Sequence, residues 1–526
     1  MRPEHPHRLV ATFEERFADV ETRFHEAYWR SQVESSPEND RRRAELELEL
    51  RRMKGDPEAL AAVDAALEED IHDPVLKRQL QVLRLSLTGN QMTDDLRAQI
   101  VDLSSSVESD FNSYRAKLDG KSVSDNDIEE ILKSSDDVDL RRRAWEASKE
   151  VGGLVAPRVR ELARLRNQVA RDLGYADYFR LALELQELDE DWLFATLEEL
   201  EELTDGPYRA WKQDLDDKLS ARFATDHLMP WHYSDPFFQN LPPDGGVSLD
   251  PLLRDVSAPD LAVQTFEGWG IGLQGVMSAS DLYPRELKSQ HAFCLHVDRQ
   301  GSDVRILANV VPGERWVEVM LHESGHAAYD LGLDPHLPYL LRRNAHIFVT
   351  ESIALLSGRL ARDPSWLVEV AGCDPTEIKA LESDLRRSDA AQSLVFARWV
   401  PVVTYFEREL YADPEADLNA RWWELVERFQ LVDRPPDRDA PDWAAKIHVA
   451  AAPVYYQNYL LGDMLASQLH RTCADECGGL VNNREAGSLL RERVFKSGSL
   501  MRWDALVEQA TGRPLSAKDL GEQVSL

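Results

Sequence analysis

Cysteine is close to absent: Cys294, Cys373, Cys473 and Cys477 are the only four in 526 residues. Thiols so few and so scattered exclude a disulfide-stapled scaffold. Cys473 and Cys477 are spaced to share a helical face, but no second pair completes a zinc set, and they read as reduced thiols. Long apolar runs are missing as well. No stretch approaches the ~18 uninterrupted apolar residues of a membrane span, and the opening "MRPEHPHRLVATFEERFADVE" lacks the apolar centre of a secretory signal. The expectation is a cytoplasmic protein with no membrane partner. Positive charge is also short. Lys and Arg number 61 against 94 Asp and Glu, a net charge of −33, which argues against nucleic acid and anionic lipid as partners. Internal repeats and low-complexity tails are lacking too.

What the chain has in quantity is helical periodicity. Hydrophobic residues make up 43% of it, enough for a large interior, and the length suggests two lobes rather than one core. Residues 8–225 read as helix after helix: "RFHEAYWRSQVES", "RRRAELELELRRM", "PVLKRQLQVLRLSL", "DLRAQIVDLSSSVESDFNSYRAKL" and "LFATLEELEELTD" carry apolar residues at three- and four-residue steps. The pattern breaks at "MPWHYSDPFFQNLPPDGGVSLDP", residues 229–251, a long connection. Two short pieces, "HAFCLHVD" and "DVRILANVV", then read as a small antiparallel hairpin, the one convincing β signal. Helices resume after residue 345, pause at "LVDRPPDRDAPDW" and run on to the end. The expected fold class is mostly α.

One stretch carries chemistry. In "LHESGHAAYD", His322 and His326 lie four residues apart with Glu323 directly after the first. Positions i and i+4 share a helical face, with β-carbons about 5–6 Å apart, so two imidazoles can grip one ion. A catalytic zinc takes three protein ligands and leaves a fourth position for water. Glu351, in the otherwise apolar "IFVTESIALL", can supply the third, since a buried carboxylate needs a partner. Its competing reading is an ordinary helix-surface glutamate, or one paired with Arg342 or Arg343. His346 is a rival third ligand. Glu323, turned by about 100° from His322, can face the open position as general base. Zinc acidifies a bound water to a pKa of about 7, and the carboxylate would take its proton as the water attacks a carbonyl. A second constellation, "KIHVAAAPVYYQNYLLGDM" at 446–464, is either an aromatic core stripe or a set of donors.

These segments resemble the zinc peptidases that include the angiotensin-converting-enzyme family and the oligopeptidases of the thimet and oligoendopeptidase F type. "HESGHAAYD" followed by "IFVTE" is similar to their metal site. The segments "PYLLRRNAHIFVTE", "DIEEILKSSDDVDLRRRAWEASKEVGGLVAPRVRELARLRNQVARDLGYADY" and "EAGSLLRERVFKSGSLMRWDALVEQATG" resemble the converting-enzyme sequence, and the likeness covers most of this chain, weakest over residues 1–90 and 229–251. The resemblance implies a single peptidase unit over 1–526, a two-lobed helical ellipsoid split by a deep substrate channel. Its helical N-terminal half (8–225) would include lid-like helices, and its C-terminal half (226–526) would carry one zinc beside the small sheet. It implies metal ligation by His322, His326 and Glu351, with oligopeptides as substrates. It also implies oxyanion stabilisation by His448 and Tyr459, and capture of a terminal carboxylate by Lys446 and Tyr456. Measured from His448, both tyrosines fall one position late, which leaves Tyr455 a rival of Tyr456.

The "DVRILANVV" strand would offer its edge, around Ala308, to an extended peptide, unless the hairpin is purely structural. The family's disulfide partner for Cys294 falls near Asn309, so that bridge is missing. The arginine that serves an activating chloride in the family is Asn458 here. The implied activity is release of C-terminal dipeptides. Its rivals are an oligoendopeptidase cutting internal bonds, a catalytically silent peptide-binding relative, and an enzyme dedicated to one cellular substrate.

Overall fold

A computed structural model describes residues 6–242 and 246–525; residues 243–245 of the 229–251 connection lie outside the described residues. The fold is mostly α, and its only sheets among the described residues are two two-stranded antiparallel pairs. No helix among the described residues is long and apolar enough to cross a membrane. The chain divides into two compact units: Met1–Gln91, Ser248–Glu382 and Leu461–Asp519 form one, and Met92–Val247, Ser383–Leu460 and Leu520–Leu526 the other. Each draws on segments far apart in the chain, so neither coincides with the sequence halves 8–225 and 226–526.

The first unit begins with the helices Pro6–Val33, Pro37–Lys54, Pro57–Leu67 and Pro74–Thr88. Three start in the same way. Ser36, Asp56 and Asp73 accept hydrogen bonds from the first-turn N–H groups, and each precedes a proline whose fixed φ suits the first helical position. Their apolar faces bury Phe17, Val63, Leu80, Leu83 and Leu87 together with Tyr339 and Leu340. Further on, strands Phe293–Asp298 and Asp303–Leu307 pair antiparallel, as the alternation predicts. Two helices follow: Glu314–Gly332, the motif helix, and Ile347–Gly358, the glutamate helix. The motif helix is capped from outside its own segment, because Asp250 accepts from the Glu314 N–H (2.9 Å) while Glu314 accepts from the Leu249 N–H (2.6 Å).

The second unit is built on the long helices Val138–Asp172 and Glu190–Phe223, with the Ser383–Ala412 part of helix Pro375–Ala412. Its interior is aromatic: Trp399 packs edge-on against Trp422 (5.9 Å), and Phe406 lies against Trp422 and Trp443 (5.3 Å each). The 229–251 connection is fastened rather than loose where described. Arg141 donates to the carbonyls of Trp231, His232 and Tyr233, and Asp235 accepts the N–H groups of Phe237, Gln239 and Asn240.

Sequence periodicity misses one element here. The segment ending "SYRAKL" does not continue its helix, which stops at Ser113. Ala116–Leu118 instead pairs with Lys121–Val123. The cause is local: Asp119 and Gly120 both take positive φ (51° and 79°), the two-residue Asp-Gly turn that matches strand twist.

Candidate metal centre

The motif helix owes its placement to a small residue. At Gly325 a β-carbon would stand 2.4 Å from Ser357 Oγ and 2.7 Å from Ala354 Cα, so only glycine lets the motif and glutamate helices approach this closely. Ser357 then donates to the Leu321 carbonyl across the contact (2.9 Å). On the facing surfaces the His322 and His326 rings stand 5.1 Å apart, edge to face. Glu351 reaches both: its carboxylate oxygens lie 3.5 Å from His322 Nε2 and 3.7 Å from His326 Nε2. One ligand atom from each of the three lies within 4.8 Å of the others. Donors bound at about 2.0–2.1 Å to a tetrahedral zinc stand about 3.3–3.5 Å apart, so these side chains need to move little to share one ion.

The electrostatics suit a cation. Glu351 is buried, and neither lysine nor arginine pairs with it among the described residues; Arg342, its expected alternative partner, donates instead to the carbonyls of Arg299 and Leu337. Burial raises the Glu351 carboxyl above its ordinary range, His322 opposes this, and Asp463 adds to it. Burial, with repulsion from His322, pulls His326 down to about 3, which keeps its imidazole neutral, the form that ligates metals. Thr350, next to Glu351, meets the other nitrogen of the same ring: His326 Nδ1 lies 2.8 Å from Thr350 Oγ1.

Glu323 is 8% exposed and hydrogen-bonds the Cys294 backbone N–H. Its carboxyl is raised by burial, lowered by His322 and raised again by Glu351, the setting of a proton acceptor poised above an ordinary glutamate. His346 is otherwise employed. Its Nδ1 accepts from the Phe348 N–H (3.1 Å) and caps the glutamate helix, and it is not part of the metal-competent group.

At the strand edge, the main-chain groups of Ala308 already have partners. The residue is fully buried; its N–H donates to the Asp281 carbonyl (2.9 Å) and its carbonyl accepts from Lys288 Nζ. Residues 280–282 cover that side of the strand, since Asp281 N–H donates to Ile306 O (3.0 Å) and Ser280 Oγ accepts from the Ile306 N–H (2.7 Å). The alternation of "DVRILANVV" shows a strand but not what lies against its edge. Cys294 is a free thiol, and Asn309 ties its segment to the preceding strand's approach by donating to Ser289 O (2.9 Å).

The second unit gathers the other predicted residues. Lys446 Nζ donates to Gln239 Oε1 (2.7 Å) and lies 5.5 Å from the Tyr456 ring centre. His448 and Tyr456 rings are 5.2 Å apart, and Tyr456 and Tyr459 rings 5.4 Å. Trp399 Nε1 donates to the Tyr456 hydroxyl (2.8 Å). Tyr456 is set against His448 and Lys446, and Tyr455 packs on Tyr459 (5.4 Å). Burial pushes Lys446 down to about 8 and His448 down to about 4, with Asp235 opposing the first shift and Lys446 assisting the second.

Sequence reasoning overlooked the residues that hold this cluster. Val454 sits in the left-handed region (φ 53°), a strained place for a β-branched residue. Glu407 accepts its N–H (2.8 Å) and Gln186 donates to its carbonyl (2.9 Å), while Arg166 donates to Ala450 O (2.9 Å). No spacing within "KIHVAAAPVYYQNY" signals partners 47, 268 and 284 residues away.

Two family models match the chain. The model of peptidase family M3 matches residues 279–526, the span that holds every residue of the metal group, and the model of angiotensin-converting enzyme matches residues 3–208. No curated protein matches the chain. Both are families of zinc metallopeptidases, and the chain is an enzyme of that kind, similar to one family over each span.

Proposed function

We propose that the chain hydrolyses oligopeptides with one zinc held by His322, His326 and Glu351, releasing dipeptides from the substrate's C-terminal end. The observation that carries the reading is the convergence of two imidazoles and one buried carboxylate that lacks a lysine or arginine partner among the described residues. Bound there, zinc would supply a polarised carbonyl and an acidified water. Glu323 takes the proton from the attacking water and delivers it to the departing amine, a shuttle suited to a carboxyl raised by burial.

His448 and Tyr459 donate to the negative charge that develops on the carbonyl oxygen. Lys446 and Tyr456 hold the terminal carboxylate two residues beyond the scissile bond. Support for this part is the grouping of Lys446, His448, Tyr456 and Tyr459 around shared contacts in the second unit. The test is metal analysis of purified protein with product mapping on paired free and C-terminally amidated peptides. Stoichiometric zinc and dipeptides from the free peptides alone are expected. Equal cleavage of both sets at internal bonds would replace the dipeptide mode by an endopeptidase.

A further inference from the structure

We infer that Thr350 is a positioning residue for the metal centre: its hydroxyl holds His326 by Nδ1 so that Nε2 points into the ligand set. This deepens, and rests on, the reading of His322, His326 and Glu351 as ligands. The glutamate helix presents two consecutive side chains to a single imidazole, Thr350 Oγ1 at 2.8 Å from Nδ1 and Glu351 Oε2 at 3.7 Å from Nε2. With both ring nitrogens engaged from one backbone, the ring plane is set by the same helix that sets the third ligand. Thr350 is 5% exposed, so water does not readily take over its role.

A ligating histidine whose other nitrogen is hydrogen-bonded keeps one orientation and one tautomer, and loss of such a partner typically weakens metal binding 10–100-fold. His322 has no corresponding side-chain hydrogen bond among the described residues, so this device belongs to His326 alone. The neighbouring Ser352 supplies an internal contrast. It is equally buried on the same helix, but its hydroxyl donates to the Val349 carbonyl (2.7 Å).

The experiment is zinc affinity of the full-length chain by chelator competition, with the melting temperature of each metal-free variant measured alongside. Thr350→Val keeps the shape and removes the hydroxyl; it is expected to weaken zinc binding about 10–100-fold. Thr350→Ser, which restores the hydroxyl, should come back to within about three-fold of the parent, the hydrogen bond being remade. Ser352→Ala should leave affinity unchanged.

Zinc binding by Thr350→Val as tight as the parent's overturns the inference, and so does an equal loss in Thr350→Ser. Should Thr350→Val not fold, nitrogen-15 NMR of the zinc-loaded parent decides: His326 should show a slowly exchanging Nδ1–H, and its absence overturns the assignment. Failure of the parent chain to bind zinc at all would overturn the ligand reading itself, a result distinguishable from the loss of Thr350's role alone.

Discussion

The metal-competent group of the first unit and the polar cluster of the second are built in opposite ways. In the first, regular helices do the work: His322 and His326 follow from an i, i+4 spacing, and Gly325 between them lets the glutamate helix close in. In the second, Lys446, His448 and Tyr456 flank an irregular elbow. Its strained Val454 is pinned by Glu407 and Gln186, and the preceding Ala450 by Arg166. The contrast teaches that chemistry placed on one helix face is stable to local change, while chemistry placed around a bend depends on remote partners.

The sharpest way to break this contrast is at Glu323, the proposed general base. Glu323→Gln should lower kcat by about 10²–10⁴ with zinc retained, because all three ligands stay; steady-state rates with metal analysis check it, and undiminished turnover would remove Glu323 from the mechanism. Next in size is an effect on the elbow. Burial raises the Glu407 carboxyl to about 8, against the opposing Val454 N–H and Arg166. The folded state therefore holds its proton while the unfolded chain releases it near the ordinary glutamate value. The stability this proton carries is full below that value and is lost as pH rises through about 8.

Glu407→Gln, which does not titrate, should match the parent's stability near pH 4. It should gain on the parent, by on the order of 5 kcal/mol, as pH passes 8 (about 1.4 kcal/mol per tenfold change in proton affinity). Urea unfolding across that range checks it; parallel curves for the two proteins would mean that Glu407 ionises freely.

Gly325→Ala strikes the helical region in turn. Its β-carbon meets backbone as well as the Ser357 hydroxyl, so a loss of about 1–3 kcal/mol and weaker zinc binding are expected from thermal melts and chelator competition. Unchanged values would mean that the two helices can separate at no cost to the site. Lys446→Ala should raise KM for free peptides and change kcat less, the pattern of lost uniform binding, which steady-state kinetics on free peptides check.

The smallest expected effect is chloride activation, which should be weak or absent. Asn458 is buried with its amide donating to Gln186 Oε1 (2.8 Å), where the resembling family has an arginine. Activity in NaCl against sodium acetate at equal ionic strength checks it, since screening alone alters peptide binding to a chain of net charge −33. A saturable stimulation specific to chloride would show a cationic site built from other residues.

By itself the sequence determined the mostly α class, the β-hairpin before the motif, and the trio His322, His326 and Glu351 with Glu323 beside them. These are features of local periodicity, and a helix repeats every 3.6 residues whatever surrounds it. It also carried the Asp119–Gly120 turn, a two-residue signal that a longer helical pattern obscured. Tertiary structure alone decided that the main-chain groups of Ala308 pair with Asp281 and Lys288, that the Tyr456 ring meets His448, and that Thr350 holds His326. The physical reason is that an edge, an elbow or a hydrogen-bonded imidazole is defined by what lies against it. Those partners come from segments tens to hundreds of residues away, beyond the reach of any local pattern.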